Sequence, residues 1–309
     1  LVIPKHTLRA VSHRSAPRHH PLKAALALSL LFVHSATPAH AQAPSAIPDW
    51  LQKIPARNWA VDATAKSLEN LHHEGSYIRY RVHVVDAKGD RVRDMIESRD
   101  GNVARLILRD GKPLTEEQDK AERERLTDML GDPSGFAKHA KGDDSGKKIA
   151  DQIIRLMPDA MIYTYVPGQP QTGKNPGIAE IVIDFEPNPN FHPPTTTSEA
   201  LTGLRGRAWI DPKSHQILRM DGNIFKAVNL GWGMLAHIYP GGTLSYEQAD
   251  LGNGRWIYTR FMERVSVRAL MVKALNINTD VDSSNFHVVP AMSYQDAVHL
   301  LLDTPLPAK

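Results

Sequence analysis

The 309-residue sequence contains no cysteine. No disulfide can staple the fold, no lipid can be attached through a cysteine after export, and thiols say nothing about compartment. It also has no internal repeat, no G-x-S-x-G elbow, no P-loop and no dinucleotide fingerprint, which removes the motif-bearing hydrolase, NTPase and dehydrogenase readings. No apolar run approaches the ~20 residues that a bilayer span needs. The first 41 residues lack acids altogether.

That acid-free segment carries Lys5, Arg9, Arg14, Arg18 and Lys23, then the apolar run AALALSLLFV, then Ala39-His40-Ala41. A basic region, a run of about ten apolar residues and a small-x-small site form a secretory signal. Cleavage is expected after Ala41, with Ala39 and Ala41 filling the small-residue positions, so that the mature chain works in the periplasm or outside the cell. Without the segment, 37 basic and 34 acidic residues become 32 and 34, a net charge of −2. The apparent basicity belongs to the leader, and a nucleic-acid partner loses its support. No transmembrane segment is expected in the mature chain.

Residues 42–57, rich in Pro, Ala and Ser, are expected to be a tether. Residues 58–309 are expected to form one domain, and 41% apolar content gives it a core of ordinary size. After a weakly amphipathic helix at 58–71, the period changes to two: YIRYRVHVVD, the 91–99 segment and 103–109, joined by glycine-containing turns, predict an antiparallel meander. A helical insertion follows over 115–157. The TEEQ at 115–118 is a capping box opening a charged helix with i,i+4 pairs; residues 131–148 read as a polar, glycine-rich hinge; and Ile149, Ile153, Leu156 and Met157 mark a short second helix. Strands then resume, with IAEIVIDFE, a hairpin around DPKSH and a long apolar strand over 224–238. Further strands follow at 244–250, 255–265 and 268–280, and Ser293 starts a last helix. About ten strands result. The fold class is mainly β, a strongly curved antiparallel sheet or incomplete barrel with helices on its concave side.

Residue patterns that carry chemistry are few. His73-Glu74-Gly75-Ser76-Tyr77 falls short of the zinc helix H-E-x-x-H, since Tyr77 holds the second ligand position; His72 and His73 suit a helix C-terminus instead. Ser145-Gly146-Lys147-Lys148 matches S-x-x-K, but its partner motifs are missing. Asp184 and Glu186 share the polar side of one strand, with no second wall in view. The charged 115–128 helix reads as a solvated face, with docking to a partner as the alternative. No metal, cofactor or catalytic set is expected.

Over 224–238, strand alternation puts Leu230, Trp232, Met234 and Ile238 on one face, with Gly231 and Gly233 opposite, where bare backbone allows a bend. Either these side chains are core against Ile153 and Leu156, or they line a cavity. Leu270 and Val272, in the two-faced ALMV run, join them as candidate ligand-lining residues.

The hairpin GRAWIDPKSHQILRMDG and the order of elements resemble the lipoprotein-carrier superfamily, the LolA-like proteins. LTEEQDKAERER, FEPNPNFHPPT and GWGMLAHIYPGG are similar to segments of exported bacterial proteins with no assigned function, over most of the mature chain. The resemblance implies a curved, incomplete barrel plugged by helices over an apolar cavity; it carries no cargo-contacting residue to a position here. Three functions follow as expectations. The first is a periplasmic, non-catalytic binder of a hydrophobic small molecule or acyl chain, a lipid or an acylated protein. The second is an envelope protein-interaction module with a filled core, and the third is an unrecognised hydrolase.

Overall fold

The computed structural model describes residues 49–307 apart from 74, 169–170, 173–178, 253 and 270–272. The expected leader with Ala39 and Ala41, and the candidates Leu270 and Val272, lie outside the described residues. Everything below concerns the unit Ser45–Lys309.

Two helices come first, α1 (Asp49–Gln52) and α2 (Ala56–Leu71). The expected tether is corrected over 49–57, because Leu51 is fully buried and Ala56 joins it in the core. The meander is β1 (Tyr77–Asp86), β2 (Gly89–Ser98) and β3 (Gly101–Arg109), with a two-residue β4 (Lys112–Pro113). Next, α3 (Glu116–Gly131) starts at the expected capping box: the Thr115 hydroxyl accepts from Gln118 N–H, and the Gln118 side chain accepts from Thr115 N–H.

The expected hinge is corrected too. Residues 133–148 belong to α4 (Pro133–Ala160), a single 28-residue helix. Its start signal is local: Asp132 accepts from Gly135 N–H at 2.8 Å, and Pro133 at the first helical position has its φ already set. Gly135, Gly142 and Gly146 each cost about 1 kcal/mol in a helix interior. Docking offsets this at both ends, through Phe136 and Ala140 in one cluster and Ile153, Leu156 and Met157 against another. Ser145, in the expected hinge, lies inside α4 and donates to Lys141 O.

The remaining elements are β5 (Met161–Tyr165), β6 (Gln171–Thr172), β7 (Ala179–Pro187), a 3-10 turn (Thr197–Gly203), β8 (Leu204–Ile210), β9 (Ile217–Ile224), β10 (Val228–Leu230), β11 (Ala236–Ile238), β12 (Thr243–Asp250), β13 (Trp256–Ala269), β14 (Lys273–Val289) and α5 (Tyr294–Asp303). The single strand expected over 224–238 is therefore two short strands around a turn. The strand expected over 268–280 is the end of β13 and the start of β14.

The main path of the sheet is β4-β3-β2-β1-β14-β13-β12-β9-β8-β7-β5, antiparallel throughout, and its two ends do not meet. This is the expected curved sheet or incomplete barrel. Registers connect one row across its inner face: Tyr165, Ile183, Ala208, Met220, Tyr246, Phe261, Val281 and Val84. At the β7–β9 end that face packs on α1 and α2 through Leu51, Trp59, Ala60 and Ala63. At the other end α5 and α3 cover the opposite face, where Ile96 and Val103 meet Leu126, Val298 and Leu301.

The close backbone approach lies away from the glycines of the 224–238 segment. Gly206 stands opposite Gly222, next to Phe185. A Cβ on Gly206 would lie 2.1 Å from Asp221 O and 2.6 Å from the Phe185 ring. The missing side chain lets the aromatic ring lie over bare strand, a device that supports sheet curvature.

Candidate functional site

Where the inner face passes from α2 to the meander, its apolar surface borders a space that α2 and α4 wall but do not fill. Tyr80, Val82 and Met95 come from β1 and β2, Val281 and Phe286 from β14, and Tyr258 from β13; they line a cavity of ≈ 840 Å³. These six pack into none of the four buried clusters. The wall is closed by the end of α2 at Asn70 and Leu71, and by the middle of α4 at Ala140, Asp143 and Lys147.

Two irregularities aim the aromatics inward. The β1–β14 register slips between Arg79 and Arg81, and Asn285 takes φ +54°. That bulge brings Phe286 onto Tyr80, with ring centroids 5.7 Å apart and planes within 19°. The β12–β13 register slips beside Gln248, which turns Tyr258 to the inner face, edge-on to Tyr246 at 5.4 Å. Tyr258 is 51% exposed, yet its hydroxyl is held above its ordinary value by loss of hydration.

The polar part of the wall includes a paired charge, beside His73, Arg99, Asp100, Asp143, Asp144 and Lys147. Arg255 Nη2 lies 2.7 Å from both carboxylate oxygens of Glu97, and its Nη1 donates to Ser76 O. Glu97 also accepts from Ile78 N–H at 3.2 Å. Beside this pair the Ser76 hydroxyl is buried without a partner among the described residues. The Tyr80 phenol is pushed up to about 12, first by burial and then by the negative charge of Glu97. A phenol raised this way stays protonated at neutral pH and donates a hydrogen bond; it is no general base.

The candidates from sequence are dispersed. Ile238 is buried with Val228, Ala236, Val265 and Val267, and Leu230 packs against that cluster. Ile153 and Leu156 lie on α4 against Leu201, Leu204 and Phe185. Trp232 and Met234 are 93% and 63% exposed, so as cavity-lining residues they are corrected: Gly231, Trp232 and Gly233 all have positive φ, which makes a turn and ends the alternation. The cavity residues were missed because their inward aim depends on bulges. The visible signal was the Ile78, Tyr80, Val82 face of β1, whose cover sequence alone could not assign.

The other single-strand candidates are partnered. Asp184 pairs with Arg207 at 2.7 Å on the outer face. His72 meets Asp151 of α4 at 2.6 Å. Among the described residues no group of three His, Cys, Asp or Glu side chains gathers as a metal site, and no helix is long and apolar enough to cross a membrane.

No family model matches the sequence, and no curated protein matches it. Among solved structures, the crystal structure of a DUF1329 family protein from Desulfovibrio piger is similar over 79% of this chain and 99% of that chain. The identity is 12% and the TM-score 0.29. A likeness of that size is distant and says nothing of activity.

Proposed function

We propose that this chain is a non-catalytic binding protein for a hydrophobic or amphipathic small molecule, an acyl chain or the acyl group of a modified protein, held on the concave face of the sheet. The observation that carries this reading is a space of ≈ 840 Å³ on the concave face, whose sheet side presents Tyr80, Val82, Met95, Tyr258, Val281 and Phe286 while α2 and α4 border it with polar and charged side chains. Ligand pockets fall in the range of roughly 300–1,000 Å³ and combine apolar walls with a few polar groups. Here those groups include the neutral Tyr80 hydroxyl, the Ser76 hydroxyl and the Glu97–Arg255 pair, with Asp143, Asp144 and Lys147 of α4 at the border. Burial of each methylene contributes about 0.8 kcal/mol without directional demands. The resemblance to lipoprotein carriers and the expected export signal point to a ligand of the cell envelope. A filled-core interaction module would leave no such space.

The test is saturable binding of an environment-sensitive fatty-acid probe, with native mass spectrometry of the purified chain for a co-purifying lipid. Met95→Trp fills the space from β2 and should weaken probe binding by roughly tenfold, since bulk in a formed pocket removes contacts outright, with the circular dichroism spectrum retained. Equal saturable binding by the folded variant, or none by the parent chain, sinks the reading.

A further inference from the structure

A second apolar surface lies at the far corner of the sheet, apart from the cavity. The β1–β14 pairing stops at Val85 and Asp280, so β13 and the first part of β14 run on as a ribbon. Beside them β11 pairs Val267–Ala269, and β10 pairs β11 in turn. The turn between β10 and β11 ends this projection with Trp232, Met234 and Leu235, which are 93%, 63% and 53% exposed.

This turn is built to hold an indole outward. Gly231, Trp232 and Gly233 have φ +58°, +60° and +80°, and a bulky residue pays conformational energy for such a position. Its hydrogen bonds fix it. Gly231 N–H donates to the Glu199 carboxylate at 2.8 Å, and Leu230 O accepts from Gly233 N–H and Leu235 N–H at 3.2 and 3.3 Å. Arg268 on β13 stands opposite His237 of β11, Lys226 lies two residues before β10, and Arg205 is at the start of β8; all three are exposed. Among the described residues they form no ion pair; Arg205 and Lys226 lie over the Phe225 ring, at 5.2 and 5.7 Å. Glu199, the acid of this corner, is engaged by the Gly231 amide.

We propose that the 231–235 turn is a membrane-docking tip that inserts Trp232 and Met234 into the headgroup boundary of an anionic lipid bilayer, with Arg205, Lys226 and Arg268 against the phosphates. Tryptophan suits that boundary because its ring is apolar and its N–H is wet. Unpaired cations set behind an apolar tip complement an anionic surface. A two-fold contact between copies of this chain through the same turn would set the three cations against their own counterparts. Docking here is independent of what the cavity holds.

Co-sedimentation of the full chain with phosphatidylcholine vesicles, with and without phosphatidylglycerol, tests it. Variants share residues 1–48, so differences between them report the tip alone. Trp232→Asn keeps a residue that tolerates positive φ and should lower partitioning to the anionic vesicles by roughly tenfold. Lys226→Glu with Arg268→Glu should abolish the preference for phosphatidylglycerol. Quenching by brominated lipid, taken as the difference between the parent chain and Trp232→Asn, should place that indole at the boundary. Fatty-acid probe binding should be unchanged in Trp232→Asn, and vesicle binding unchanged in Met95→Trp, so the two surfaces fail or succeed separately. Equal vesicle binding by Trp232→Asn overturns the proposal. So does absence of binding by the parent chain, whether or not sedimentation velocity then shows an oligomer that Trp232→Asn disperses.

Discussion

Arg105 is 2% exposed and works as the terminus of another element. Its Nη1 donates at 2.6 Å to the carbonyls of both Leu301 and Thr304, and its Nη2 to Asp119 at 2.8 Å. Carbonyls at a helix C-terminus have no partner within the helix and carry its negative end, so one guanidinium ties α5, α3 and β3 together. Its Nε is buried without a partner among the described residues, which burial of a planar fork leaves over once the other donors are placed. Arg105→Met keeps the stem but leaves two helix-end carbonyls and a carboxylate unpaired. It should destabilise the chain by about 3 kcal/mol, the scale of breaking a buried charged contact, measured as a shift in urea midpoint. A change under about 1 kcal/mol would mean that water replaces the guanidinium at those carbonyls.

At the scale of elements, α2 and α4 form the helical pair over the inner face. They are joined by Arg57 to Asp159 and by His72 to Asp151. The Asp151 carboxyl is lowered from 3.8 to about 2, chiefly by its hydrogen bond to Arg155 and then by His72. A depressed carboxylate stabilises the fold above its ordinary value, and that contribution is lost as pH falls through the folded value. The stability difference between the parent chain and Asp151→Asn should therefore close between pH 3.8 and about 2. A difference already absent at pH 5 would show that the link contributes nothing. These elements also mark how far the sequence could be read. The meander, α3, β7, the β8–β9 hairpin and α5 follow from period and caps, because their signals are local. Residues 133–148 of α4 were lost to three glycines, although Asp132 and Pro133 spelled a helix start. The break at Gly231-Trp232-Gly233 was lost because alternation of side chains cannot report the sign of φ. The cavity depends on bulges and on which face α4 leaves bare, and both are settled between elements distant in sequence.

Across the whole molecule, the first long strand lies in the middle of the sheet, bonded on one side to β2 and on the other to β14. The meander and the β7–β9 block can each be formed from neighbouring sequence, but the seam that joins them waits for the last strand. Chains dominated by such distant pairings fold slowly, since loop closure must precede the reward. In pulse-labelled hydrogen exchange during refolding, β1 amides that bond β14 should gain protection together with those of β14 and after the β2–β3 hairpin. Protection of the seam ahead of that hairpin would refute this order. A chain interrupted before residue 273 is thus no slightly smaller sheet. It has unpaired edges along both β1 and β13, each a template for a neighbouring chain until the final strand arrives.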